Sequence, residues 1–384
     1  MAFAALSAFY LAHMGFFNPY LPLWLKSQGL SVATIGMLTA IQSATRLVAP
    51  YGWGWLSDHT GERVRLMRYC SAAALLGSAG LLFSGSLWWL AGVLLFMFIH
   101  TSAMMPLSEA ILVHWVSVDG SFDASRYSRV RLWGSLGFLL TALAAGAWFD
   151  AHGMGSFAWW AVVSLALVNV FVWILPNHVE ATHEVKDHTP MREVLRDPQV
   201  IWFLSSVFFH VLSHMCIYVF FSLYLDSLGY SKAMIGLLWA VSVLAEIILF
   251  FTQGRWMGLF SLPRWLLVCG AVMVLRMVLT TSLADVLWVL FVAQILHALT
   301  FAMHHATCIA LLSQYFPIRL RARAQALYAS LGYGLPGVLG AFVGGQISQA
   351  WGLQSVYAVS IGTALLACAC AAMLVRHDAR RSTL

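Results

Sequence analysis

Residues 23–38 read LWLKSQGLSVATIGML and residues 223–238 read LYLDSLGYSKAMIGLL, so nine of sixteen positions recur after a shift of 200. The same shift lays Gly54 on Gly254 and Leu87-Trp88 on Leu287-Trp288. A register held from the second apolar run through the fourth marks the chain as a duplication, two homologous bundles that must face one another. Each copy joins two long apolar runs. Of 384 residues, 61% are hydrophobic and 9% are charged, against about 25% charged in an ordinary soluble domain. The apolar residues come in runs of about 20, the length that crosses about 30 Å of hydrocarbon as a helix.

Working outward, the runs fall at 2–25, 34–56, 66–84, 87–115, 130–149, 157–175, 199–225, 233–256, 264–283, 286–315, 322–347 and 353–375. The expected fold is therefore an all-α polytopic membrane protein of twelve transmembrane helices. Residues 1–175 form one six-helix bundle and 199–376 the other, joined by a polar linker at 176–198 and followed by a tail at 377–384. No length remains for a soluble catalytic or nucleic-acid-binding domain. The first run opens at Met1 without a basic segment, which predicts a retained helix and not a cleaved signal peptide. The six cysteines all lie in apolar runs without CxxC spacing and are expected as free thiols.

The net charge of +6 matters less than its placement. Seventeen of the 21 cations sit in one alternate set of connections and the tail; the opposite set holds only Lys26 and Lys232. The bias places both termini in the cytoplasm of an inner-membrane protein.

A duplicated six-plus-six chain with a polar central loop is the plan of many secondary transporters, with the substrate site near the midplane between the halves. Gly54-Trp55-Leu56-Ser57-Asp58-His59-Thr60-Gly61-Glu62-Arg63, between the second and third runs, resembles the G-x-L-x-D-x-x-G-x-R loop of the major facilitator superfamily. Arg129-Val130-Arg131-Leu132-Trp133-Gly134-Ser135, Ala245-Glu246, Arg276, Gln294-Ile295-Leu296-His297 and His305 are similar to the phenylpropionate-type permeases, a branch near the lactose permease group of proton symporters. The resemblance implies alternating access, proton symport and a small organic solute such as an aromatic monocarboxylate. The lactose permease group also carries a carboxylate on its tenth span, which this chain lacks. Coupling is then expected to rest on Glu246 with His297 and His305.

The residues themselves point to the same region. Arg46, Glu246 and Arg276 lie deep in spans, where an unpaired charge costs roughly 3 kcal/mol, so each must be paired or face water. Register makes Arg46 and Glu246 symmetry mates, and Arg276 is the rival partner for the carboxylate. A carboxyl group between apolar surroundings, which favour its neutral form, and an arginine, which favours its charged form, is suited to proton coupling. Gln294, His297, Phe301, His305 and Cys308 recur at helical spacing as one stripe. His13 and Phe17 on the first span, and His210 and His214 on the seventh, add aromatic bulk with polar tips. The candidate substrate-binding set is thus Arg46, Arg276, His13, Phe17, His210, His214, Gln294 and Phe301. An anionic solute would pair with Arg46 or Arg276.

Gating candidates are Gly54, Asp58, Gly61 and Arg63, together with Glu109 beyond Pro106 and Arg129 and Arg131 at the same level. Glu109 with Arg131 is either a gate or a permanent brace. The glycines of 332–345 suit close helix crossings. No cofactor or metal is expected: His210 and His214 have metal-ligand spacing, but no acid or cysteine completes a set. The expected partners are a solute, protons and lipid, with no nucleic acid, in a monomer. Export of amphipathic compounds and proton symport of a sugar or nucleoside are the alternative transport readings. A His-rich membrane enzyme or sensor is the non-transport one, although no nucleophile–base pair or phosphate loop is present.

Overall fold

A computed structural model describes residues 2–83, 85–118, 121–176, 191–317 and 320–381, with side chains described except at Asp58, His114, 117–118, 121–122, 124–125, 128, 322 and 380–381. Most of the central linker and the side chain of Asp58, a gating candidate, lie outside the described residues. The chain runs α1 (Ala2–Ser27), α2 (Val32–Thr60), α3 (Arg63–Ala79), α4 (Leu87–Val116), α5 (Ala124–His152), α6 (Phe157–Ile174), a short α7 (Met191–Leu195), α8 (Pro198–Ser227), α9 (Lys232–Trp256), α10 (Leu262–Ser282), α11 (Leu287–Ile295), α12 (His304–Tyr315), α13 (Arg321–Ala329), α14 (Leu335–Trp351) and α15 (Leu353–Arg381). π-helical turns at Ala298–Met303 and Ser330–Gly334 join α11 to α12 and α13 to α14 into single spans.

Among the described residues, ten helices are long and apolar enough to cross a membrane. The other two of the expected twelve spans are α1, diluted by His13, Asn18, Pro19 and Pro22, and α3, which is 17 residues long and begins with three arginines in its first two turns. The architecture is the twelve-helix one expected. All six cysteines are free thiols.

The repeated stretch folds twice into the same turn. Gly29 and Gly229 take left-handed φ of 80° and 85°, a backbone region that costs a side chain 1–2 kcal/mol. The amides of Leu30 and Tyr230 then reach back to the carbonyls of Leu25 and Leu225 and close the helix ends. Ser31 and Ser231 cap the following helices, each hydroxyl accepting from the amide three residues on at 3.2 Å.

The chain divides into two compact units. One comprises Met1–Leu30, Ile41–Val185 and Ser231–Ala240; the other comprises Ser31–Ala40, Lys186–Tyr230 and Val241–Leu384. The two units exchange the segments that open α2 and α9, residues 31–40 and 231–240. Glycine explains the exchange. In the first unit a Cβ on Gly236 would lie 2.5 Å from the Ala142 carbonyl; in the second a Cβ on Gly36 would lie 2.5 Å from the Ala341 carbonyl. The first unit also ties the incoming segment through Asp150, which accepts from the Lys232 amide at 3.0 Å, and Tyr20, whose hydroxyl lies 3.1 and 3.2 Å from the carbonyls of Ala142 and Lys232.

Close crossings recur inside each unit. On the α1–α5 seam, Cβ atoms on Gly15 and Gly137 would stand 2.4 and 2.1 Å from the carbonyls of Phe138 and Ala8. In the second unit, Gly340 and Gly344 of α14 let Met215 and Phe220 of α8 approach, so the glycine-rich span is a close-packing one as expected.

Candidate functional site

The second unit gathers eight of the eleven candidate coupling and substrate-binding residues. Arg276, on α10, is fully buried, and its guanidinium reaches three neutral acceptors. One terminal nitrogen donates to Thr300 Oγ1 at 3.1 Å and lies 3.2 Å from His297 Nδ1; the other donates to Gln294 Oε1 at 3.2 Å. A guanidinium only donates, so His297 Nδ1 accepts. The proton of the neutral imidazole is thereby fixed on Nε2, which lies 3.6 Å from Glu246 Oε2. Glu246 and Arg276 are therefore linked through His297, one on each ring nitrogen. Glu246 is partly exposed, at 22% of its side chain, whereas Arg276 and His297 are buried. Arg276 Nε and Gln294 Nε2 are buried donors with no hydrogen-bond partner among the described residues.

The π-helical turn explains how one span supplies all three acceptors. Its wider helical ring breaks the regular ladder between His297 and His304, and the Thr300 carbonyl is taken up by His210 Nε2 at 2.7 Å. The His210 ring stacks on His304 at 3.7 Å. His214 meets His297 edge-on at 5.2 Å and lies parallel to Tyr218. The stripe on this span survives the irregular turn: the Phe301 ring lies between His297, at 5.2 Å and 3°, and His305, at 6.3 Å and 12°. Cys308 turns instead toward His304.

The first unit holds its candidates in separate small groups, His13 beside Phe17 and Arg131 beside Glu109. His13 is buried with its Nδ1 2.8 Å from Ser164 Oγ, and Phe17 is buried against Phe98 and Phe157. Their stripe faces the aromatic core of α4 and α6. Arg46 is exposed on α2 and within electrostatic reach of Tyr10. Arg131 is paired with Glu109, whose other oxygen accepts from Tyr127 at 2.6 Å. Burial, with the Glu109 carboxylate alongside, pushes the Tyr127 hydroxyl up to about 12. All three belong to one compact unit, so the cluster joins α4 to α5 within it. Gly61 adopts a φ of 67° at the turn into α3, as its role there requires; Gly54 has open space where a Cβ would stand, so close packing within the unit does not explain it. Arg63 starts α3 and Arg129 is exposed on α5.

Thr300, Tyr127, Tyr328 and Tyr333 were not singled out by the sequence. Tyr328 and Tyr333 are five apart, which places them on different faces of an α-helix. The π turn between them brings the hydroxyls to 3.3 Å. Among the described residues no group of three or more His, Cys, Asp or Glu could hold a metal ion.

Comparison with known proteins agrees with this fold. The family model of the MFS_1 like family matches residues 3–359. The "Probable 3-phenylpropionic acid transporter" of Escherichia coli (strain K12) is 28% identical over 342 residues, covering 85% of each chain. The maltose permease of Geobacillus stearothermophilus is 25% identical, covering 88% of this chain and 85% of its own. The crystal structure of the nucleoside transporter NupG superimposes with a TM-score of 0.82 at 15% identity, covering 97% of this chain and 98% of that one.

Proposed function

The chain belongs to the MFS_1 like family and is a multi-pass membrane transporter of small solutes; from that premise we propose proton-coupled import of a small organic acid, an aromatic monocarboxylate of the phenylpropionate type. Import would proceed across an inner membrane with both termini cytoplasmic, as the seventeen-to-two division of cations favours.

The observation that carries this reading is the His297 imidazole held between Glu246 and Arg276. While Arg276 donates to Nδ1, that nitrogen has no lone pair left for a proton, and the exposed proton acceptor is Glu246. A solute carboxylate offers Arg276 a two-point charged partner in place of three neutral acceptors. The two unpartnered buried donors, Arg276 Nε and Gln294 Nε2, favour such an acceptor. As the guanidinium turns to the carboxylate it releases Nδ1, which then takes a proton, and the imidazolium is stabilised by Glu246 on its other side. Anion and proton thus load together. The aromatic flank of Tyr218, Phe301 and His305, all partly exposed, suits a ring.

Uptake of labelled 3-phenylpropionate into proteoliposomes with an imposed pH gradient tests the assignment. Glu246→Gln is expected to abolish gradient-driven accumulation while solute exchange without a gradient persists. Accumulation that survives the substitution overturns it.

A further inference from the structure

Beside the Arg276 cluster, His305 also belongs to a second polar group, whose two tyrosines the transport reading does not use. His305 Nδ1 is 3.1 Å from the Tyr328 hydroxyl and 3.5 Å from that of Tyr333, and the two hydroxyls are 3.3 Å apart. Three atoms thus form a closed triangle around two hydroxyl protons. If Tyr328 donates to the imidazole and Tyr333 donates to Tyr328, the third edge is empty and the Tyr333 oxygen retains an acceptor lone pair. A ligand hydroxyl, which both donates and accepts, fits that arrangement. Tyr328 is buried, whereas His305 and Tyr333 are partly exposed, as are Phe301 and Glu246 on the same unit. Two of the triangle's three members are thus open to a ligand.

Its position relative to Arg276 gives the group a meaning. From the His297 ring, which touches Arg276, two near-parallel ring steps of 5.2 and 6.3 Å lead through Phe301 to His305. Phe301 is partly exposed between these two near-parallel rings, so a solute ring can meet it offset-stacked or edge-on, the favoured geometries for aromatic pairs. The span suits a carboxylate, a two-carbon chain and a benzene ring laid end to end.

We propose that His305, Tyr328 and Tyr333 form a subsite for a substrate hydroxyl, so that the preferred solutes are aryl-alkanoic acids hydroxylated on the ring. The proposal rests on the reading of Arg276 as the carboxylate partner. Because the triangle already satisfies two of its edges internally, discrimination is moderate, about tenfold in KM, and not the far larger ratio of a site left wholly unpaired.

The test measures uptake into proteoliposomes of 3-phenylpropionate and its para- and meta-hydroxylated derivatives, and ligand-induced thermal stabilisation by the same three acids and by their neutral amides. A lower KM for one hydroxylated acid is expected, with the ratio to the parent acid falling to about one in Tyr333→Phe. A variant that fails to fold loses both acids alike, and the wild-type ratio then decides by itself. Equal KM values for hydroxylated and parent acids in the wild type, or a preference unchanged in Tyr333→Phe, overturn the subsite. A hydroxyl preference shown equally by acids and amides supports the subsite and overturns the role given to Arg276.

Discussion

Replacing Arg276 by lysine keeps the charge and removes the fork. The guanidinium distributes its contacts over two terminal nitrogens, one serving His297 and Thr300 and the other serving Gln294. A single ammonium at the first position abandons Gln294, which is 1% exposed and whose amide nitrogen already lacks a partner. The whole side-chain amide is then buried and unpaired, at a cost of about 1–3 kcal/mol. Loss of the two-point contact to a carboxylate weakens solute binding by a further ~1.5–3 kcal/mol, or roughly 10- to 100-fold in KM. The two consequences separate in a double-mutant cycle with Gln294→Met, followed by thermal unfolding in detergent and by uptake kinetics. Methionine removes the stranded amide, so Arg276→Lys with Gln294→Met should unfold at a higher temperature than Arg276→Lys alone, with a coupling of about 1–2 kcal/mol, while KM stays high. Single-mutant effects that add to within about 0.5 kcal/mol would refute the reasoning, since Gln294 would then not depend on Arg276.

Gly137→Ala forces a Cβ to within 2.1 Å of the Ala8 carbonyl, so α1 and α5 must separate; the expected loss is about 1–3 kcal/mol, whereas Gly52→Ala, which meets nothing within 4 Å, should be neutral or slightly stabilising in the same melts. The Tyr127 hydroxyl is raised in the fold to about 12 from 10.0. Its contribution is complete below its unfolded value and drains away as pH rises through that window, so alkaline destabilisation between pH 10 and 12 should be shallower in Tyr127→Phe.

The elements that were legible in the sequence share one physical basis. Spans show because the bilayer demands apolar length, and the duplication shows because a turn such as Gly29-Leu30-Ser31 needs the same residues wherever it is built. Arg276, Gln294 and His297 were legible as candidates, the first because buried charges are few and the others by helical spacing, but nothing in the sequence joined them. Regular periodicity also accounts for what was not legible. His13 and Phe17 form a stripe with polar and aromatic tips whether it faces a solute or the aromatic core of its own unit, and burial alone separates the two. Tyr328 and Tyr333 meet only because the backbone leaves 3.6 residues per turn between them, which no stripe drawn on an α-helix anticipates. The exchange of the segments that open α2 and α9 was hidden for another reason: one glycine of the repeat, Gly36 or Gly236, fits a neighbouring helix equally well in either register.

That exchange means that gene order and structural inheritance differ. A polypeptide severed in the central linker would yield one fragment with an open slot on α5, where residues 231–240 belong, and another with a vacant seat on α14 for residues 31–40. Each fragment would also carry a loose ten-residue flap lacking its backbone-close partner. Neither product is a minimal version of the whole.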